Sequence, residues 1–137
     1  DLLQLLASQR VDHTIFWRQL SIGVGAYPSQ SDDAFKALSD LFVQPSLFQH
    51  WLTPYLARLK YEDMGSSAKE MLQSNPKYVL RNHLCETAIQ AAKLGDNSEV
   101  QVLLKLLASP FEEHPGFEAY ADHPPHWAQS ISISCSS

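Results

Sequence analysis

Apolar residues recur at helical spacing through most of this chain, and turn-forming residues cut the pattern into segments. Leu2, Leu3, Leu5, Leu6 and Val11 form a first stripe. Ile15, Phe16, Trp17 and Leu20 continue it beyond Asp12, which the pattern makes a break and a helix N-cap. Gly23 and Gly25 are expected to end this segment, and Tyr27-Pro28-Ser29-Gln30 to form a loop. Ser31-Asp32-Asp33 then reads as the cap of a short helix carrying Phe35, Leu38, Leu41 and Phe42. Pro45 fits a first-turn proline. The helix after it presents Leu47, Phe48, Trp51, Leu52, Tyr55, Leu56 and Leu59 on one face, with Pro54 expected to kink or split it.

Gly65-Ser66-Ser67 reads as a break, followed by a turn or two of helix from Ala68 to Gln73 that Asn75-Pro76 stops. Tyr78 to Leu94 gives the clearest helical pattern, with Val79, Leu80, Leu84, Cys85, Ala88, Ala91 and Ala92 on its apolar face. Gly95 suits a C-cap, and Asp96 with Glu99 resembles a capping box for a helix from Val100 to Ala108, stopped by Ser109-Pro110. Residues 77–108 are therefore predicted to form an antiparallel helix hairpin. Beyond Pro110, prolines alternate with Phe111, Phe117, Tyr120 and Trp127, a tail expected to wrap over helices and be pinned by its rings. The fold class is all-α, an irregular domain of about five to six helices. Residues 1–110 make the helical part and 111–137 the wrapping tail, within one domain overall.

Composition narrows the function classes. The 137 residues are 45% hydrophobic and 18% charged, enough for one globular core. A net charge of −5 argues against broad binding to nucleic acid or an anionic membrane. No apolar run approaches the roughly 20 residues that span a bilayer. The opening Asp1-Leu2-Leu3-Gln4 has neither a basic n-region nor an initiator Met, so a processed or excised piece of something longer is expected. Two cysteines point to a reducing compartment and leave a Cys85–Cys135 bridge for geometry to decide.

No complete catalytic site is legible. His114, His123 and His126 lie close together near Glu112, Glu113 and Asp122, but their spacing fits no helix-borne metal pair, and solvated loop histidines are the simpler reading. Cys85, on an apolar helix face, is expected to be buried and inert. There is no glycine-rich phosphate loop and no nucleophile elbow. Lys77 and Arg81, one turn apart and flanked by Asn75 and Asn82, fit either a docking surface or buried polar network, or a solvated helix face. Cys135 stands third from the end in a small polar tail that packing does not require.

Several stretches match a known family. Asn75-Pro76-Lys77-Tyr78-Val79-Leu80-Arg81-Asn82-His83-Leu84 resembles the "NPKYxLRNxL" stretch of the selenoprotein O family, also called SelO or YdiU. The likeness continues through Ala88-Ile89-Gln90-Ala91-Ala92, Gly95-Asp96, Val100, Leu103-Leu104 and Ser109-Pro110-Phe111. It closes with Pro124-Pro125-His126-Trp127 and the terminal Ile133-Ser134-Cys135-Ser136-Ser137. Gln9-Arg10-Val11-Asp12-His13-Thr14-Ile15-Phe16-Trp17-Arg18 resembles the preceding family helix.

The resemblance implies a protein-kinase-like parent that binds ATP with Mg or Mn and transfers AMP to Ser, Thr or Tyr hydroxyls of proteins. The family's ATP-gripping lysine and its metal-binding and catalytic aspartates lie earlier than this region. No catalytic, cofactor-binding or metal residue is therefore assigned here, and the isolated chain is expected to be inactive. The expected partners are the missing N-terminal kinase-like domain and, for the parent, its protein substrates. Lys77, Arg81 and Asn82 are the candidate interface residues. Cys135 occupies the position where some relatives carry selenocysteine, which makes it the redox candidate. A thiol ionises far less readily than a selenol near neutral pH. The location implied is the bacterial cytoplasm, or mitochondria for eukaryotic relatives. The alternative reading is an independent helical protein-interaction module.

Overall fold

A computed structural model describes residues 1–30, 33–59 and 63–131. Among them the only regular elements are helices: α1 (Leu2–Ser8), α2 (His13–Ala26), α3 (Lys36–Ser39), α4 (Pro45–Leu59), α5 (Met64–Ser74), α6 (Asn82–Lys93) and α7 (Ser98–Ala108). Two 3₁₀ turns follow, at Glu118–Ala121 and His126–Ser130. The all-α expectation holds, with seven α-helices among the described residues rather than five to six. The chain divides into two compact units, Asp1–Pro76 and Lys77–Ser137. The division falls inside the stretch read from the sequence as 1–110.

In the first unit, Phe16 is the hub of the core. Fully buried on α2, it meets the rings of Trp17, Phe42, Phe48 and Trp51 edge-on at centroid distances of 5.1 to 6.4 Å. Phe42 and Phe48 stack at 4.8 Å, and Trp51 and Tyr55 at 4.7 Å. Leu6, Leu20, Val24, Leu38, Leu52 and Ala68 belong to the same cluster. Burying each such large side chain is worth about 1.5–3 kcal/mol before the entropy of ordering it.

Two helix ends behave as the sequence predicts. The Asp12 carboxylate accepts the Ile15 N–H at 3.0 Å and caps α2. Pro45 opens α4. The end of α1 has a device with no sequence signature. Arg10 sits in the left-handed region at φ 53°, its N–H donating to the Ala7 carbonyl and the Val11 N–H to the Leu6 carbonyl. This is a Schellman closure, and Val11 and Leu6 are both buried beneath it.

Other expectations are corrected. Gly23 and Gly25 do not end α2 but lie inside it. A methyl group on Gly23 would sit 2.6 Å from the Phe35 ring, and one on Gly25 3.2 Å from the Ala68 Cβ. These glycines are points of close approach by α3's flank and by α5. Of the kink or split expected at Pro54, the split does not occur, and α4 runs through it. Pro54 lies on the exposed face, where water can satisfy the carbonyl that loses its donor. Gly65-Ser66-Ser67 is no break but the first turn of α5, because Asp63 accepts the Gly65 and Ser66 N–H groups. α3 is only four residues long and has no side-chain cap. Ser31 and Asp32, expected to cap it, lie outside the described residues.

In the second unit α6 begins at Asn82, not at Tyr78. The Lys77 and Tyr78 N–H groups donate instead to one acceptor, the Pro110 carbonyl, at 2.9 and 3.2 Å. Helix starts only after Arg81, whose own backbone is extended. The hairpin turn is as predicted. Gly95 has φ 84°, its N–H donates to the Ala92 carbonyl, and the Asp96 N–H donates to the Ala91 carbonyl. The capping box does not form. Asp96 accepts the Ser98 N–H, while Glu99 accepts the hydroxyl of Tyr120 at 2.9 Å.

Candidate functional site

The stretch Lys77–Asn82 carries two cations one turn apart, and the structure gives its members different roles. Tyr78 is almost fully buried. Its ring meets the His114 ring edge-on at 5.3 Å, and its hydroxyl donates to the His114 carbonyl at 3.4 Å. The His114 ring is held in turn by Nε2 against the Ser109 carbonyl at 2.9 Å. Lys77 pairs with Glu113 and lies 5.5 Å from the Tyr78 ring centroid. Burial opposes its charge, but the hydrogen bond and charge of Glu113, with Tyr78, outweigh that and raise its pKa above the usual lysine value. Lys77 is therefore part of an internal clasp rather than a free docking cation.

Arg81 is the extended residue before α6, and Asn82 is its exposed first residue. Both lie on a cleft of about 350 Å³ with His83, Pro124, Ala128 and Gln129. His83 is buried, and its ring meets that of Trp127 at 6.0 Å. Burial first, and the Arg81 charge second, hold its pKa below the ordinary imidazole value. Further rings secure the tail. Lys105 Nζ lies 4.9 Å from the Phe117 centroid. Burial, then Glu99, raises the Tyr120 pKa.

Cys85 is only half-buried, which corrects the expectation of a buried thiol. It lies on an open apolar cleft of α6 and α7. Cys135 lies outside the described residues. His123 pairs with Asp122 at 3.5 Å, and His114 is committed to Ser109. Among the described residues no three His, Cys, Asp or Glu side chains converge on a point that could hold a metal ion. No described helix is long and apolar enough to cross a membrane.

Arg18 was missed by the sequence reading. Buried on α2, it donates from Nη1 to the Leu72 and Asn75 carbonyls, both at 3.1 Å, at the end of α5. A guanidinium there satisfies orphan carbonyls and matches the negative end of the helix dipole. Asn75 Nδ2 adds a bond to the Met71 carbonyl at 2.8 Å and one to Ser21 Oγ at 3.4 Å. The signal in the sequence is a charged residue between the apolar positions Phe16 and Leu20.

The sequence pattern of the family described as "Protein adenylyltransferase SelO" matches residues 1–109. The chain belongs to the SelO family. A SelO-family relative from Albidiferax ferrireducens, named "Protein nucleotidyltransferase YdiU", is 56% identical over 137 residues, covering 100% of this chain and 26% of the relative. Proteins of the same name from Variovorax paradoxus and Thiobacillus denitrificans are each 49% identical, covering 98% and 100% of this chain. This SelO-family chain spans about a quarter of the length of the relatives it matches.

Proposed function

We propose that this chain is the C-terminal helical part of a protein adenylyltransferase that moves AMP from ATP to Ser, Thr or Tyr hydroxyls of proteins, using Mg or Mn. The observation that carries the reading is the family match over residues 1–109, joined to relatives that are about four times longer. Within the parent this part is structural. It buttresses a kinase-like catalytic region whose residues lie elsewhere, in the cytoplasm of a bacterium.

The experiment is transfer of labelled AMP from ATP, with Mg or Mn, onto protein. Incorporation is expected with the full-length protein and none with the 137-residue chain alone. No incorporation by the full-length protein refutes the activity, and real incorporation by the short chain refutes the division of labour.

Cys135 is the regulatory part of the proposal. Its thiol would be oxidised, with a second thiol of the parent, to a disulfide, the two electrons and two protons passing to an added oxidant such as diamide. Mass spectrometry of the oxidised full-length protein should find Cys135 bridged. A thiol that stays free under oxidant refutes this role.

A further inference from the structure

The α6–α7 hairpin carries an apolar cleft of about 270 Å³ that its own unit leaves open. Cys85, Ile89 and Ala92 line it from α6, Leu104 and Leu107 from α7, and Leu80 from the extended segment before α6. No lining residue is charged. Leu80 is 55% exposed, Ile89 43% and Leu104 60%. Large aliphatic side chains grouped in this way are the kind of surface that proteins use for contacts.

The chemistry selects the cover. A membrane surface or nucleic acid would be drawn by a positive field, and the chain is net negative. A second copy would need roughly 800 Å² of matched surface on each partner, far more than a cleft for one or two side chains. A partner already tethered on the same polypeptide needs much less, because its effective concentration is on the order of millimolar. The relatives supply such a partner, since 26% of their length corresponds to this chain and the remainder to polypeptide outside it.

We propose that the α6–α7 cleft seats one or two apolar side chains from the rest of the family polypeptide, as a contact within a single chain. The inference rests on the reading that this chain is one part of a longer protein.

The test compares Leu104→Asp with Leu94→Asp in the full-length protein. Leu94 is 89% exposed and is not among the residues lining the cleft. Leu104→Asp should lower the thermal midpoint by about 5 °C or more, and Leu94→Asp by less than about 2 °C. Leu104→Asp should also speed alkylation of Cys85, followed peptide by peptide, by about tenfold. If Leu104→Asp does not fold, Leu104→Ala against Leu94→Ala reads the same ordering. Equal midpoint shifts, or a Cys85 rate unchanged by the Leu104 substitution, overturn the proposal. A wild-type dimer that Leu104→Asp converts to monomer gives the cleft to a second copy and overturns it too. AMP transfer by the same wild-type preparation is scored separately. Its absence sinks the adenylyltransferase reading while the thermal comparison still decides the cleft.

Discussion

The two units are held together by different means. Residues 1–76 enclose a fused cluster of rings and aliphatics in which Phe16, Phe48, Leu6 and Val24 have no exposed surface. Among the described residues of the second unit, the buried hydrophobic ones are Tyr78, Ala88, Leu103 and Leu106. Polar stitches carry more of its order: two N–H groups on the Pro110 carbonyl, Tyr78 on His114, Lys77 on Glu113 and Tyr120 on Glu99. Such stitches hold a geometry with a net gain of only about 1 kcal/mol each. The first unit thus resembles a self-sufficient core. The second resembles a shaped surface that spends its leucines outward.

That contrast can be broken by substitution. Phe16→Ala should cost about 3–5 kcal/mol, read by denaturant unfolding, because it empties the centre of the ring cluster. A cost below about 1 kcal/mol would mean that the core is not where the stability lies. Arg18→Met should cost about 2–3 kcal/mol by stranding the Leu72 and Asn75 carbonyls, and hydrogen exchange should loosen first at the end of α5. Tyr120→Phe removes one hydrogen bond of the second unit and should cost about 1 kcal/mol. A loss as large as that of Phe16→Ala would erase the distinction between the units.

Acid should act through His83. Its folded pKa is depressed, so above about pH 6.5 the imidazole is neutral in both folded and unfolded chains. Below that pH the unfolded chain takes up the proton more readily, and stability falls until the folded pKa is passed. The stability profile between pH 7 and 5 should flatten in His83→Gln. An unchanged slope would place the titration elsewhere. The smallest expected effect has the opposite sign. Arg10→Gly relieves a left-handed arginine and should stabilise the first unit by about 0.5–1 kcal/mol, measured by the same unfolding midpoint.

Local signals were legible where the cause is local. Asp12, Pro45, Gly95 and Ser109-Pro110 act on helix ends within a few residues of themselves, and each was read from the sequence. Errors arose where a distant partner decides. Gly23 reads as a helix stop until Phe35 is known to press on it, at which point the missing side chain becomes a packing requirement. Tyr78 reads as helical until its N–H is bound by Pro110, more than thirty positions along. Glu99 reads as a cap until Tyr120 claims it. The candidate site was legible as a stretch, Lys77–Asn82, but not as a division of labour. Lys77 faces a carboxylate of its own unit, while Arg81 and Asn82 line a cleft.

The double hydrogen bond to the Pro110 carbonyl has a consequence for the order of folding. Closing a loop between residues 77 and 110 in an unfolded chain is entropically unfavourable, but the αL turn at Gly95 folds α6 back along α7 and brings those ends together first. The stitch is then expected to form late, as a short-range event once the hairpin is complete. A methyl group on Gly95 would meet nothing within 4 Å beyond its chain neighbours, yet a side chain at φ 84° would strain the turn. A lesion at Gly95 should therefore surface as slow or failed closure at Lys77 and Tyr78, at the far end of the hairpin from the residue that was changed.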